Sequence, residues 1–144
     1  MAYTPKGTAT GQTVVQGSAI NMADALLTRA KLIDYGETVN AIGNVGTETK
    51  DIDLELGNMV TLTLTGNPTF TFSNPPASGT LGSFTLAITE DATPVIVWPG
   101  AVDWAGGTAP TLTTSGIDTF VFWTIDAGTI WYGYASGLDM KTAA

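Results

Sequence analysis

Neither cysteine nor histidine occurs anywhere in the 144 residues. Their joint absence removes disulfide staples, thiol nucleophiles, thiolate and imidazole metal ligands and every Ser-His or Cys-His relay, so most hydrolase mechanisms are excluded. Cations are nearly as scarce. Lys6, Arg29, Lys31, Lys50 and Lys141 are the only basic residues, the net charge is −8, and positions 51 to 140 hold no lysine or arginine. A nucleic-acid binder displaces condensed counterions with its own cations, so nucleic acid is not an expected partner. The same charge balance disfavours an anionic membrane surface. No apolar run approaches the roughly 18 residues that span a bilayer, and MAYTPKGTATGQ has no apolar segment after its lysine, so neither a membrane span nor a secretory signal is expected. The length suits one domain, or one domain with an arm.

What the chain has is period-two alternation. Ile52, Leu54 and Leu56, then Val60, Leu62 and Leu64, then Phe70 and Phe72, then Phe84, Leu86 and Ile88 each alternate with polar residues, many of them threonine. Such alternation places one set of side chains on each face of a pleated strand. The pattern predicts an all-β fold, a small antiparallel β-sandwich or jelly-roll-like barrel spanning 46–144. Gly57-Asn58 suits a tight hairpin, and Gly66-Asn67-Pro68 suits the next turn. Asn74-Pro75-Pro76 ends a strand, and Asp126-Ala127-Gly128 joins the last two strands as a hairpin.

Residues 1–45 read differently. Positions 1–17, rich in Gly, Thr and Ala, are either an extended arm that orders against a neighbour or a disordered terminus. Over about 21–35 the period becomes helical. Ala23, Leu26, Ala30 and Ile33 form one stripe, with Asn21 as cap and Gly36 as stop. That stripe packs either on the chain's own β domain or on the same helix in symmetry mates, where it would serve trimerisation. A linker with a short strand near 39–42 follows.

Three clusters are candidates for chemistry. Asp51, Asp53 and Glu55 alternate, so they share a strand face that could gather around calcium or serve as a solvated edge. Asp103 with Asp118, or Glu90 with Asp91, could in principle act as an acid and a base across a sugar, but nothing in the sequence sets either pair across a cleft. Among Trp98, Trp104, Trp123 and Trp131, Trp104 stands in a loop between Asp103 and Gly106-Gly107 and could stack on a sugar, whereas the others sit in apolar strands as core. No recognisable catalytic motif appears, and no enzymatic activity, cofactor or metal is expected. Uncharged, threonine-rich strands leave sheet edges poorly protected, a physical reason to expect an oligomer.

The segments DYGETVNAIGN (34–44), LTLTGNPTFTFSNPP (62–76), VWPGAVDWAGGTAPTLT (97–113) and WYGY (131–134) together resemble a β domain that recurs in bacteriophage virion proteins near the C-terminal ends of tail fibres. The resemblance implies a non-enzymatic virion component, a homotrimer displaying a β knob and assembled in the bacterial cytoplasm. The short stretch before position 34 leaves no room for a fibre shaft. That implies a short fibre or a capsid decoration (cement) protein, held to other virion proteins by its N-terminal arm. The alternative it implies is a receptor-binding knob that recognises a host surface polysaccharide through Asp103, Trp104, Gly106 and Gly107.

Overall fold

A computed structural model describes residues 28–90 and 94–141. The chain divides between Asp34 and Tyr35, ahead of the boundary at 45 that the sequence suggests. Of the first unit, only residues 28–34 are described. They form a turn and a bend rather than the end of a helix, with Arg29 and Asp34 at positive φ (59° and 54°). Two left-handed residues within six positions break the helical hydrogen-bond ladder. Ala30 and Ile33 therefore share no helical stripe, and Ile33 is 90% exposed. Ala23, Leu26 and the arm lie outside the described residues.

The second unit is all β. Its strands are β1 (Val39–Val45), β2 (Thr49–Asp53), β3 (Met59–Leu64), β4 (Thr69–Ser73), β5 (Gly82–Glu90), β6 (Val102–Trp104), β7 (Gly116–Thr124) and β8 (Trp131–Met140). They form a six-stranded sheet of order β1-β3-β5-β7-β8-β6 and a two-stranded sheet of β2 and β4. The expected antiparallel arrangement holds only for β5 with β7 and β7 with β8. Pairings β1-β3, β3-β5, β2-β4 and β6-β8 are parallel. Gly57-Asn58 is consequently not a hairpin: like the turn at Gly66-Asn67-Pro68, it carries the chain from one sheet to the other. The first five strands wind as a coil. Val39 pairs with Met59 and Thr49 with Thr69, each twenty positions on. A parallel bridge from Thr69 to Val97 continues the smaller sheet for another turn.

Local chemistry explains why the corners stack. Thr65 donates its amide (2.8 Å) and hydroxyl (3.2 Å) to the Val45 carbonyl, and the Thr69 amide donates to Glu48 (3.1 Å). Asn67 Oδ1 accepts the Val95 amide of the following turn at 2.8 Å. A Cβ on Gly66 would lie 2.6 Å from Thr47 Oγ1 and 2.8 Å from the Gly46 carbonyl carbon, so the two corners touch backbone to backbone. At the opposite corner Asp53 caps a 3-10 turn (Leu54–Leu56) by accepting the Glu55 amide at 2.9 Å. There the Asn58 side chain donates to Ser83 O at 2.6 Å, and the Asn58 carbonyl accepts the Thr85 amide at 2.8 Å.

The core lies between the two sheets. Ile52 and Phe70 from the smaller sheet are buried, as are Val60, Leu62, Leu64, Phe84, Leu86, Ile88, Phe120, Phe122 and Trp131 from the larger. Phe72 of β4 meets Phe84, Phe122 and Trp131 edge-on at 5.0, 5.1 and 5.3 Å, the geometry aromatic quadrupoles favour. The hairpin between β7 and β8 forms where the sequence places it. Asp126 Oδ1 accepts the Ile130 amide (3.1 Å) and the Thr124 hydroxyl (2.8 Å), while Ala127 and Gly128 take positive φ. Those hydrogen bonds, the Ile130 amide foremost, hold the Asp126 carboxyl below its ordinary pKa.

Corner contact sets a measurable constraint at Gly57. Its φ is +143°, and a Cβ there would fall 2.4 Å from the Thr38 carbonyl oxygen. Gly57→Ala is expected to cost about 2–3 kcal/mol in urea unfolding, against about 1 kcal/mol for Gly79→Ala, whose added Cβ meets nothing within 4 Å.

Candidate functional site

Pairing between β6 and β8 decides where the predicted recognition residues go. Asp103 pairs with Tyr132 and Trp104 with Gly133. Asp103 is exposed, and Gly106 and Gly107 form an exposed turn at positive φ (71° and 74°). Trp104 is half-buried instead. It packs edge-on against Trp98 (5.2 Å) and Phe122 (5.5 Å), over the bare backbone of Gly133, where a Cβ would sit 3.0 Å from its ring. Trp104 thus extends the aromatic core, and only three of the four predicted residues remain on the surface. Of the tryptophans assigned to the core, Trp131 is buried and Trp98 packs against Phe70 and Phe120. Trp123 points the other way and stacks on Tyr132 at 4.2 Å.

The acidic run at the start of the body does not converge. Parallel pairing of β2 with β4 sets Asp51 beside Thr71 and Asp53 beside Ser73. Asp51 accepts the hydroxyls of Thr71 (2.7 Å) and Ser73, and Asp53 accepts the Asn74 side-chain amide (2.8 Å) as well as the Glu55 amide. Glu55 leaves the strand for the 3-10 turn, so it does not share their face. Among the described residues no group of three or more acidic side chains is placed to hold a metal ion.

One carboxylate pair does come together, and it joins one member from each of the two pairs the sequence offers. Glu90 on β5 and Asp118 on β7 both face inward from adjacent antiparallel strands, where Ile88 pairs with Asp118 and Glu90 with Gly116. Asp118 is fully buried, and it accepts the Thr113 amide (2.7 Å) and hydroxyl (2.8 Å) and the Asp139 amide (2.8 Å). No amide or hydroxyl among the described residues donates to Glu90. Burial first, then the Asp118 charge and the hydrogen bond to Asp118, push its pKa up from 4.5 to about 7. Inward-facing and walled by strands, both carboxyls are buried, Asp118 fully and Glu90 to 5% exposure. Asp91 lies outside the described residues, and Asp103 stands at the far edge strand. A signal for the pair exists in the alternation itself, since Glu90 and Asp118 occupy inward positions of otherwise apolar runs.

The widest feature outside the core is the outer face of the six-stranded sheet. Register aligns Val39, Met59, Thr85, Val121 and Tyr134 in one row across five strands. A second row runs through Ala41, Thr61, Ala87 and Thr119, and a third through Ser83, Trp123 and Tyr132 to Asp103. Asp103, on the edge strand, is the one charged residue in these rows. Elsewhere a shallow groove of about 220 Å³, lined by Val95, Ile96, Trp98, Pro110 and Leu112, has no ionisable group in its wall. Neither a protein family, nor a curated protein, nor a solved structure matches the chain.

Two outcomes follow from this geometry. Trp104→Ala is expected to lower unfolding free energy by about 2–4 kcal/mol, as loss of a packed aromatic does, read from the urea midpoint. For Glu90, a folded-state pKa above the unfolded value means the native state holds the extra proton. Stability is then highest below pH 4.5 in this contribution and falls as pH rises to about 7, above which it levels. Subtracting the pH profile of Glu90→Gln from that of the wild type is expected to leave that falling step.

Proposed function

We propose that this chain is a non-enzymatic structural protein of a bacteriophage virion, a homotrimeric short fibre or capsid decoration (cement) protein. In this reading the N-terminal arm anchors it to other virion proteins and the β body faces outward as a knob. The body is read as a sandwich, two sheets sharing the aromatic layer around Phe72. Three lines support the reading. The four segments that resemble the phage β domain all fall from the end of the first unit through the β body, and those at 62–76 and 131–134 coincide with β3, β4 and the start of β8. Ionisable groups are engaged in holding strands together, as Asp51, Asp53 and Asp118 are, rather than lining a cleft. The observation that carries it is the broad, uncharged outer sheet face, because a chain of net charge −8 has ample acidic residues to solvate such a face and places none across its middle.

Its mechanism is burial and multivalency. Copies hold one another, and several weak contacts with a particle add up through effective concentration to an attachment no single contact gives. The receptor-knob alternative stands on less, since Trp104, its intended sugar platform, is committed to the core.

Sedimentation equilibrium of the full chain is expected to return three times the 14.9 kDa chain mass. Deleting residues 1–17 is expected to abolish incorporation into particles while leaving the β body folded. A deletion that still decorates particles normally would remove the arm as anchor.

A further inference from the structure

The outer face of the six-stranded sheet has properties that narrow its occupant. Antiparallel and mixed sheets that face water ordinarily carry charged side chains on the wet side. Here Val121, Trp123, Tyr132 and Tyr134 stand together on β7 and β8, with threonine and serine hydroxyls on the β3 and β5 side and Asp103 beside Tyr132 on the edge strand, and Tyr134 is 45% exposed in the single chain. An apolar, aromatic patch with a polar rim is the anatomy of a protein–protein contact. A partner bearing lysines or carboxylates would have to desolvate them against groups that offer no counter-charge.

Two kinds of occupant are uncharged enough to fit, a neutral polysaccharide and a second copy of this same face. Sugar sites are concave and use carboxylate or amide side chains to hold ring hydroxyls. The middle strands β3, β5 and β7 supply neither in their outward rows. Size agrees with a copy. Six strands about 4.8 Å apart, three to ten residues long and about seven on average at about 3.3 Å each, make a face on the order of 24 by 24 Å, the scale of the ~800 Å² per partner of a stable interface.

We propose that copies of this chain assemble through the outer face of the six-stranded sheet, with Trp123, Val121 and Tyr134 at the buried centre of the contact. The assignment rests on the homotrimeric reading and names its contacting surface. Around a threefold axis each such face meets its two neighbours, so the aromatic patch of every copy leaves water while Asp103, on the edge strand, stays at the rim.

The test is Val121→Lys, which sets an ammonium group in the middle of the face, beside Ser78→Lys on an exposed loop as control. Wild type and Ser78→Lys are expected to sediment as trimers, whereas Val121→Lys, with native circular dichroism, sediments as a monomer at concentrations at least tenfold above the wild-type dissociation range. Nitration of the wild type gives a readout independent of whether the variant folds. In the assembly Tyr134 is expected to react several-fold more slowly than Tyr35, which is 65% exposed. A trimeric wild type whose Val121→Lys variant stays trimeric, or whose Tyr134 reacts as fast as Tyr35, overturns this surface and leaves the trimer standing. A variant that stays trimeric but loses binding to a neutral polysaccharide assigns the face to glycan. A monomeric wild type overturns both the surface and the trimeric reading.

Discussion

Each turn of the parallel coil rests on the one before it through hydrogen bonds at its corners, and the rest of the body depends on that stacking. Thr65 on Val45, Thr69 on Glu48, Asn67 on Val95 and Asn58 on Ser83 tie successive corners together. Backbone polar groups at a turn need partners as surely as those in a strand do. Here the partners come from the neighbouring turn, so the corners fix the register of the strands between them. With register fixed, Ile52, Val60, Phe70 and Phe84 all point into one core. A slip by one residue would turn each set outward.

Side-chain direction was legible in the sequence where a run stays a strand, and strand partnership was not; of the run Ile52, Leu54 and Leu56, only Ile52 is buried, because Leu54–Leu56 turn off into a 3-10 turn that leaves Leu56 57% exposed. Alternation at Val60, Leu62 and Leu64 states which residues are buried, but it reads the same whether the neighbouring strand runs parallel or antiparallel. Gly57-Asn58 looked like a hairpin turn because its conformational demands are shared by a corner that passes between sheets. The informative mark was spacing, with Gly46 and Gly66 twenty positions apart at equivalent corners. The hairpin at Asp126-Ala127-Gly128 was read correctly, since its flanking runs do pair with each other. Trp104 was harder. A DWAGG string resembles loop, and only the parallel pairing of β6 with β8 and the missing side chain at Gly133 give the indole its place. The helix read over 21–35 failed in its described part because periodicity cannot register left-handed residues such as Arg29 and Asp34.

Acidic residues in this body act as structural acceptors. Asp53 caps a turn, Asp126 organises a hairpin and Asp118 gathers Thr113 and the end of β8. Without lysine or arginine between positions 51 and 140, such carboxylates take backbone amides and hydroxyls in place of ion pairs. Among the described residues the single ion pair joins Asp139 to Lys141, the first cation after that span. Glu90 is the exception, buried beside Asp118 without a donor of its own. Among the described residues, it makes the junction of β5, β7 and the end of β8 the place where a buried carboxyl with a raised pKa ties core stability to pH.

The reversal of direction at β7 separates two kinds of architecture within one body. On one side lies a parallel winding whose first turn advances twenty residues, from Val39 to Met59, and whose second advances twenty-six, from Met59 to Thr85; on the other lies an antiparallel meander that terminates it. Such a winding tolerates turns of unequal length, because the extra residues of the second turn fall in the link between β4 and β5 and leave the strand register intact. The number of parallel strands is therefore set by the number of turns rather than by their length, and the terminating meander is where that count stops.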